Sequence, residues 1–238
     1  MQQMWRVIVG LMSLCALIIG ATAQTPTIYG SPHTVYNVQD WTPNALTLNL
    51  PQGGSPVPTP VIYIIQTAMR LAPGPGFDTP AGFSAFCPLH VDANEEEQIF
   101  YAVFQTGTTP PTSVSLSASD GYSWAGAIAV AYQGINPATP FDGGNCSTGS
   151  GTGPSATPVP STNPTSVTAP SYTTSVPNDL VLWSFFSSGD VGTSGVAVAQ
   201  GTTRAEVTRS ELQGDGYLNL SELPLTNAGA SGDNTASC

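Results

Sequence analysis

Apolar and polar positions along this chain alternate with the period of two that a half-buried strand requires. Leu46, Leu48 and Leu50 interleave with Thr47 and Asn49. Val61 to Ile65 is an unbroken β-branched and aromatic run with prolines on either side, and it also reads as a strand. Further strands are predicted at Gly82 to Val91, Gln98 to Gln105, Ser113 to Ala118, Tyr122 to Tyr132 and Asp179 to Phe186, then at Val196 to Ala199, Arg204 to Thr208 and Tyr217 to Leu223. Gly, Pro, Asn and Asp punctuate nearly every gap, and no window holds helical periodicity between caps. Many short strands at this spacing predict an all-β, antiparallel two-sheet sandwich of jelly-roll type. Residues 24–238 suit one such domain.

The N-terminus has a different pattern. Met1 to Arg6 carries one positive charge, Val7 to Gly20 is almost wholly apolar, and Ala21-Thr22-Ala23 supplies small residues. That order reads as a secretory signal peptide over residues 1–23. The apolar run is shorter than the roughly 20 residues a membrane span needs. Behind it, Thr25 to Asp40 is proline-rich and extended. The expectation is a secreted, extracellular protein with no membrane insertion.

Composition narrows the partners. Lys plus Arg total 4, all of them arginine, against 15 carboxylates, for a formal charge of −11. Charged residues make up 8%, where a soluble domain usually carries roughly 25%. So few cations cannot neutralise a run of phosphates, which excludes nucleic acid, and they offer little to anionic lipid. With 40% apolar residues the chain is globular, hydrated by Ser, Thr, Asn and Gly. Residues 143–164 hold no charge and read as a long exposed loop. Export would leave Cys87, Cys146 and Cys238 in an oxidising compartment. Cys87 with Cys146 is the preferred disulfide, worth about 4 kcal/mol by loop closure. Cys238 would then be free or join another chain.

Candidate chemistry is sparse. Glu211 to Glu222 sets Asp215, Asn219 and Glu222 at positions five, nine and twelve of an EF-hand-like calcium loop. Glu211 and Gln213 are poor at positions one and three, and a strand after a Gly-Asp-Gly turn fits equally well. Glu95, Glu96 and Glu97 cannot converge on one ion from a strand, since neighbours point to opposite faces; they read as a solvated hairpin loop. No Gly-x-Ser-x-Gly window exists, and neither His33 nor His90 has an identifiable partner. No cofactor is called for. Tyr29, Tyr36 and Trp41 in the N-terminal stretch, with Tyr172 after the long loop, are the candidate stacking surfaces for sugar rings; burial in the core is the competing reading. Sequons stand at Asn145 and Asn219.

Several strands carry a family likeness. Pro80-Ala81-Gly82-Phe83, the stretch from Trp124 to Pro137 with its Tyr132-Gln133-Gly134, and the closure Pro140-Phe141-Asp142 resemble a secreted β-sandwich module of bacterial surface proteins and bacteriophage structural proteins. Thr168-Ala169-Pro170-Ser171 before Asp179 to Leu182, and Leu223-Pro224 before Ala228 to Gly232, extend the resemblance from Leu46 to Cys238. It implies the fold and no catalytic residues. Such modules end in a further apolar strand, which Asn234 to Cys238 does not supply. The expected function is non-catalytic surface attachment, through binding to a polysaccharide or cell-surface glycan. One alternative is an extracellular assembly or filament subunit, self-associating through an open sheet edge or Cys238 and completed by strand exchange of Thr25 to Asp40. The other is a secreted glycoside hydrolase.

Overall fold

Val61-Ile62-Tyr63-Ile64-Ile65 offers apolar side chains to both faces of any sheet it joins, so both faces need cover. The computed structural model describes residues 7–10, 17–19, 25–37, 45–71, 76–86, 90–92, 95–118, 122–141, 166–169, 171, 173–175, 177–187, 197–209 and 216–237. It meets that need by stacking sheets. The strands are, in chain order, β1 (Val7–Gly10), β2 (Leu17–Ile19), β3 (Thr27–Ile28), β4 (His33–Asn37), β5 (Ala45–Asn49), β6 (Val61–Leu71), β7 (Ser84–Ala85), β8 (His90–Asp92) and β9 (Glu95–Phe104). Then come β10 (Ser113–Ser117), β11 (Tyr122–Gln133), β12 (Ser166–Ala169), β13 (Asp179–Ser187), β14 (Ala197–Val198), β15 (Thr202–Arg209), β16 (Gly216–Leu225) and β17 (Asn234–Ser237). No helix occurs among the described residues.

The chain is all-β, and every strand pairing but one among the described residues is antiparallel. The central sheet runs β11-β6-β9, edged by β3 and β4 on β11 and by β7 and β8 on β9. A second sheet runs β15-β16-β13-β1-β2, β5 pairs with β10, and β17 lies between β12 and β14.

Alternation assigns each residue to a layer. On β6, Ile62 and Ile64 enter one core with Leu180 and Leu182 of β13 and Leu218 and Leu220 of β16. Val61, Tyr63 and Ile65 enter another with Leu46, Leu48, Val114 and Leu116 of the β5–β10 pair. β11 sorts its faces by size. Trp124, Ile128, Val130 and Tyr132 point toward β13 and β16, and Ala125, Ala127, Ala129 and Ala131 point toward β5 and β10. Trp124 stacks on Phe186 with ring centroids 6.0 Å apart, which ties the two larger sheets together; such a pair is worth about 1 kcal/mol beyond its buried area. The outer face of β13 and β16 forms a smaller core of Val181, Trp183, Phe185 and Tyr217.

Three expectations change. Glu95, Glu96 and Glu97 belong to β9 rather than to a solvated loop, and Glu96 and Glu97 are buried. They do point to opposite faces, Glu97 with Ile99 and Glu96 with Phe100. Of the expected donor segment Thr25 to Asp40, residues 27–28 and 33–37 pair within the chain, as β3 and β4 against β11. The C-terminal residues do form a strand, the polar β17. The apolar N-terminal run contributes β1, which lies parallel to β13 with Val7 opposite Leu180 and Gly10 opposite Trp183. The loop at 143–164 lies outside the described residues.

Candidate functional site

β15 is the outer strand of its sheet, and its ladder with β16 slips by one residue. Thr203 faces Ser221 and Ala205 faces Leu220, leaving Arg204 as the extra residue of a bulge. A bulge re-aims a side chain. Here it turns the guanidinium of Arg204 onto the carboxylate of Glu222, with which it forms a hydrogen-bonded ion pair. Glu222 shares the face of Leu218 and Leu220, so its carboxylate reaches into the space between the two larger sheets. There the hydroxyl of Tyr132 donates to Oε2 at 2.7 Å. Burial, reinforced by the adjacent carboxylate, pushes the Tyr132 phenol well above its ordinary value. The hydrogen bond to Glu222 raises Arg204 as well. Gly201 makes the approach feasible: at φ +77° it lies so close that a Cβ would strike the Glu222 carbonyl.

The neighbouring edge of the central sheet is β4. β4 runs close to β15. Thr34 lies opposite Ile128 and Tyr36 opposite Gly126. Ile128 is part of the core shared with β13 and β16, and a Cβ on Gly126 would meet Leu218. Directly opposed residues share a face, so Thr34 and Tyr36 lie on the side of the second sheet, at its margin. Tyr36 is 48% exposed, the one exposed large apolar side chain among the described residues. Along the strands the two features stand apart: Tyr36 is at the level of Gly126 and Leu218, whereas Arg204, its guanidinium 35% exposed, is at the level of Glu222 and Tyr132, six residues on along β11 or about 20 Å.

A second polar cluster sits wholly inside. Glu97 of β9 accepts from Ser184 Oγ of β13 at 3.0 Å and from Gln66 Nε2 of β6 at 3.3 Å. Gln66 also reaches the Phe185 carbonyl at 3.4 Å. This carboxylate is 2% exposed and ties the two sheets through their common core. Nothing in the local sequence announces it, because its three members are brought together only by the pairing of β6 with β9 and the stacking on β13.

The sequence candidates divide sharply. Tyr29 belongs to the core rather than to a binding surface. Its ring meets Tyr63 edge-to-face at 6.3 Å and its hydroxyl donates to the Gly54 carbonyl. Tyr36 is the surface aromatic; Trp41 and Tyr172 lie outside the described residues. Asn219 and Glu222 do not converge as the calcium loop would require. Gly216–Leu225 is a strand, so Asn219 and Glu222, three apart, point to opposite faces. Glu222 is held by Arg204 and Tyr132, and the buried Asn219 donates to Thr203 Oγ1 at 3.3 Å. Asp215 lies outside the described residues, among which no metal-binding cluster of His, Cys, Asp and Glu occurs. Burial of Asn219 also closes its sequon in the folded chain. Cys87, Cys146, Cys238 and Asn145 all lie outside the described residues. Arg204 is the member that sequence reading missed; an arginine in an otherwise threonine-rich edge strand was the available signal, and the bulge that gives it meaning was not legible.

No family model, curated protein or solved structure matches this chain.

Proposed function

We propose that the chain is a non-catalytic, exported surface-attachment module that binds a glycan at the β4–β15 edge. The observation that carries this reading is the exposure of Tyr36 on β4, at the margin where β4 runs close to β15. Sugars present an apolar ring face ringed by hydroxyls, and an exposed aromatic on the same strand face as the exposed hydroxyl of Thr34 is suited to both. β4 itself carries no Asp, Glu, Lys or Arg, and the chain as a whole carries −11. A neutral polysaccharide therefore fits better than an acidic one. The signal-peptide pattern and the resemblance to bacterial surface modules support the same setting. Hydrolysis is not favoured: Glu97 and Glu222 already accept hydrogen bonds from fixed donors, and both are buried. The test is a glycan array with the folded chain and its Tyr36→Ala variant. A neutral glycan retained by the parent and lost at least tenfold by the variant supports the reading. Equal binding by both, or no binding by the folded parent, removes it.

A further inference from the structure

The two margins of the second sheet are built differently. β15 is defended as an edge strand: it carries the bulge, Arg204 and Glu206, and it exposes Thr202. β13 is built as an interior strand. Leu180, Val181, Leu182, Trp183, Ser184 and Phe185 are all buried, apolar residues alternate into the cores on its two faces, and its one charged residue is Asp179 at the end. One side of its backbone is fully paired with β16. The other side is taken by β1 across Leu180 to Trp183. β1 lies within residues 1–23, the stretch with the pattern of a cleaved leader. Its removal would bare an apolar, unbulged strand, the kind of edge that recruits another strand.

We propose that β1 plugs this edge in the precursor, and that after removal of residues 1–23, which contain it, β13 pairs with β13 of a second copy. A two-fold axis through the sheet makes that pairing antiparallel and self-complementary. The result is a continuous sheet in which β15, β16 and β13 of one protomer are followed by the same three strands of its partner. Charge permits it. With the axis at Leu182, the two copies of Asp179 stand six residues apart along the ladder, about 20 Å and beyond a Debye length of about 8 Å. The N-terminal strands β3 and β4 take no part, being committed to their own β11. The inference is independent of the glycan reading.

The experiment uses the full chain, purified and folded, with a specific protease site replacing residues 20–23. Sedimentation velocity before and after cleavage, with circular dichroism on the same samples, reads the outcome. Expected is a monomer before cleavage and a doubled mass after it, the β spectrum preserved, with a synthetic peptide of residues 4–12 returning the cleaved chain to monomer. A cleaved, folded chain that stays monomeric overturns the proposal. So does a precursor already dimeric, a leader that stays bound after cleavage, or loss of the β spectrum, which would make β1 a permanent strand of the fold.

Discussion

Replacing Tyr132 by phenylalanine removes one oxygen from the space between the two larger sheets and leaves the ring in place. The lost contact is a 2.7 Å hydrogen bond from a buried phenol to a carboxylate. Hydrogen bonds to charged groups contribute about 2 kcal/mol, so the variant should be destabilised by that amount near neutral pH. For a chain of this size the midpoint should fall by about 4–8 °C. The alkaline limb sharpens the test. The folded-state phenol titrates well above its ordinary value near 10, because burial and then the Glu222 charge oppose ionisation. Above pH 10 the unfolded tyrosine loses its proton while the folded one keeps it. The folded state then binds more protons, and stability falls with rising pH by up to about 1.4 kcal/mol per unit for this group. Phenylalanine has no such proton to lose. The gap between parent and variant should be largest below pH 10 and close near pH 11.5, at about 2 kcal/mol divided by that slope. Tyr63, whose phenol burial also raises, contributes equally to both chains and cancels. Urea titrations from pH 7 to pH 11.5 supply the measurement. A gap that stays constant across that range, or a loss below about 0.5 kcal/mol at pH 7, would refute the reasoning.

Two other substitutions probe the same framework. Gly201→Ala should cost well over 2 kcal/mol, since strain at φ +77° adds to a collision with the Glu222 carbonyl, while Gly107→Ala, at φ +82° with open space around it, should cost only about 1 kcal/mol; equal losses in urea melts would refute the close approach. Ser184→Ala removes a donor from buried Glu97 and should lower stability by about 1–3 kcal/mol, with Ser117→Ala, on an exposed strand position, as the near-neutral control in the same titration.

Much of the layering was written locally. Val61 to Ile65 and Tyr122 to Tyr132 identified themselves as strands, and the Leu46-Leu48-Leu50 alternation correctly marked one buried face. What failed depended on long-range pairing. Glu96 and Glu97 looked like solvent residues because charge is expensive to bury, yet Gln66 and Ser184, 31 and 87 positions away in sequence, supply donors to Glu97. Glu222 looked like a calcium ligand because spacing cannot reveal that a bulge eighteen residues earlier supplies it with a guanidinium. Tyr29 and Tyr36 were equivalent in sequence. The chain's path over β11 buries one against Tyr63 and leaves the other at the margin.

The central sheet is buried on both sides, which changes what holds its register. In a sheet with one wet face, sliding a strand by one residue sets polar groups against the core and so forbids itself. β11 has no such guard, because both its faces are apolar. Its guard is volume. One step would drive Trp124, Ile128, Val130 and Tyr132 into the shallow gap sized for alanines beneath β5 and β10, and would leave a row of methyl groups where β13 and β16 expect large rings and branched chains. Pairing of this strand is therefore specified by the difference between large and small rather than between greasy and wet. Exchanging a single alanine on it for valine should loosen that specification more than the same change in any strand with one face in water.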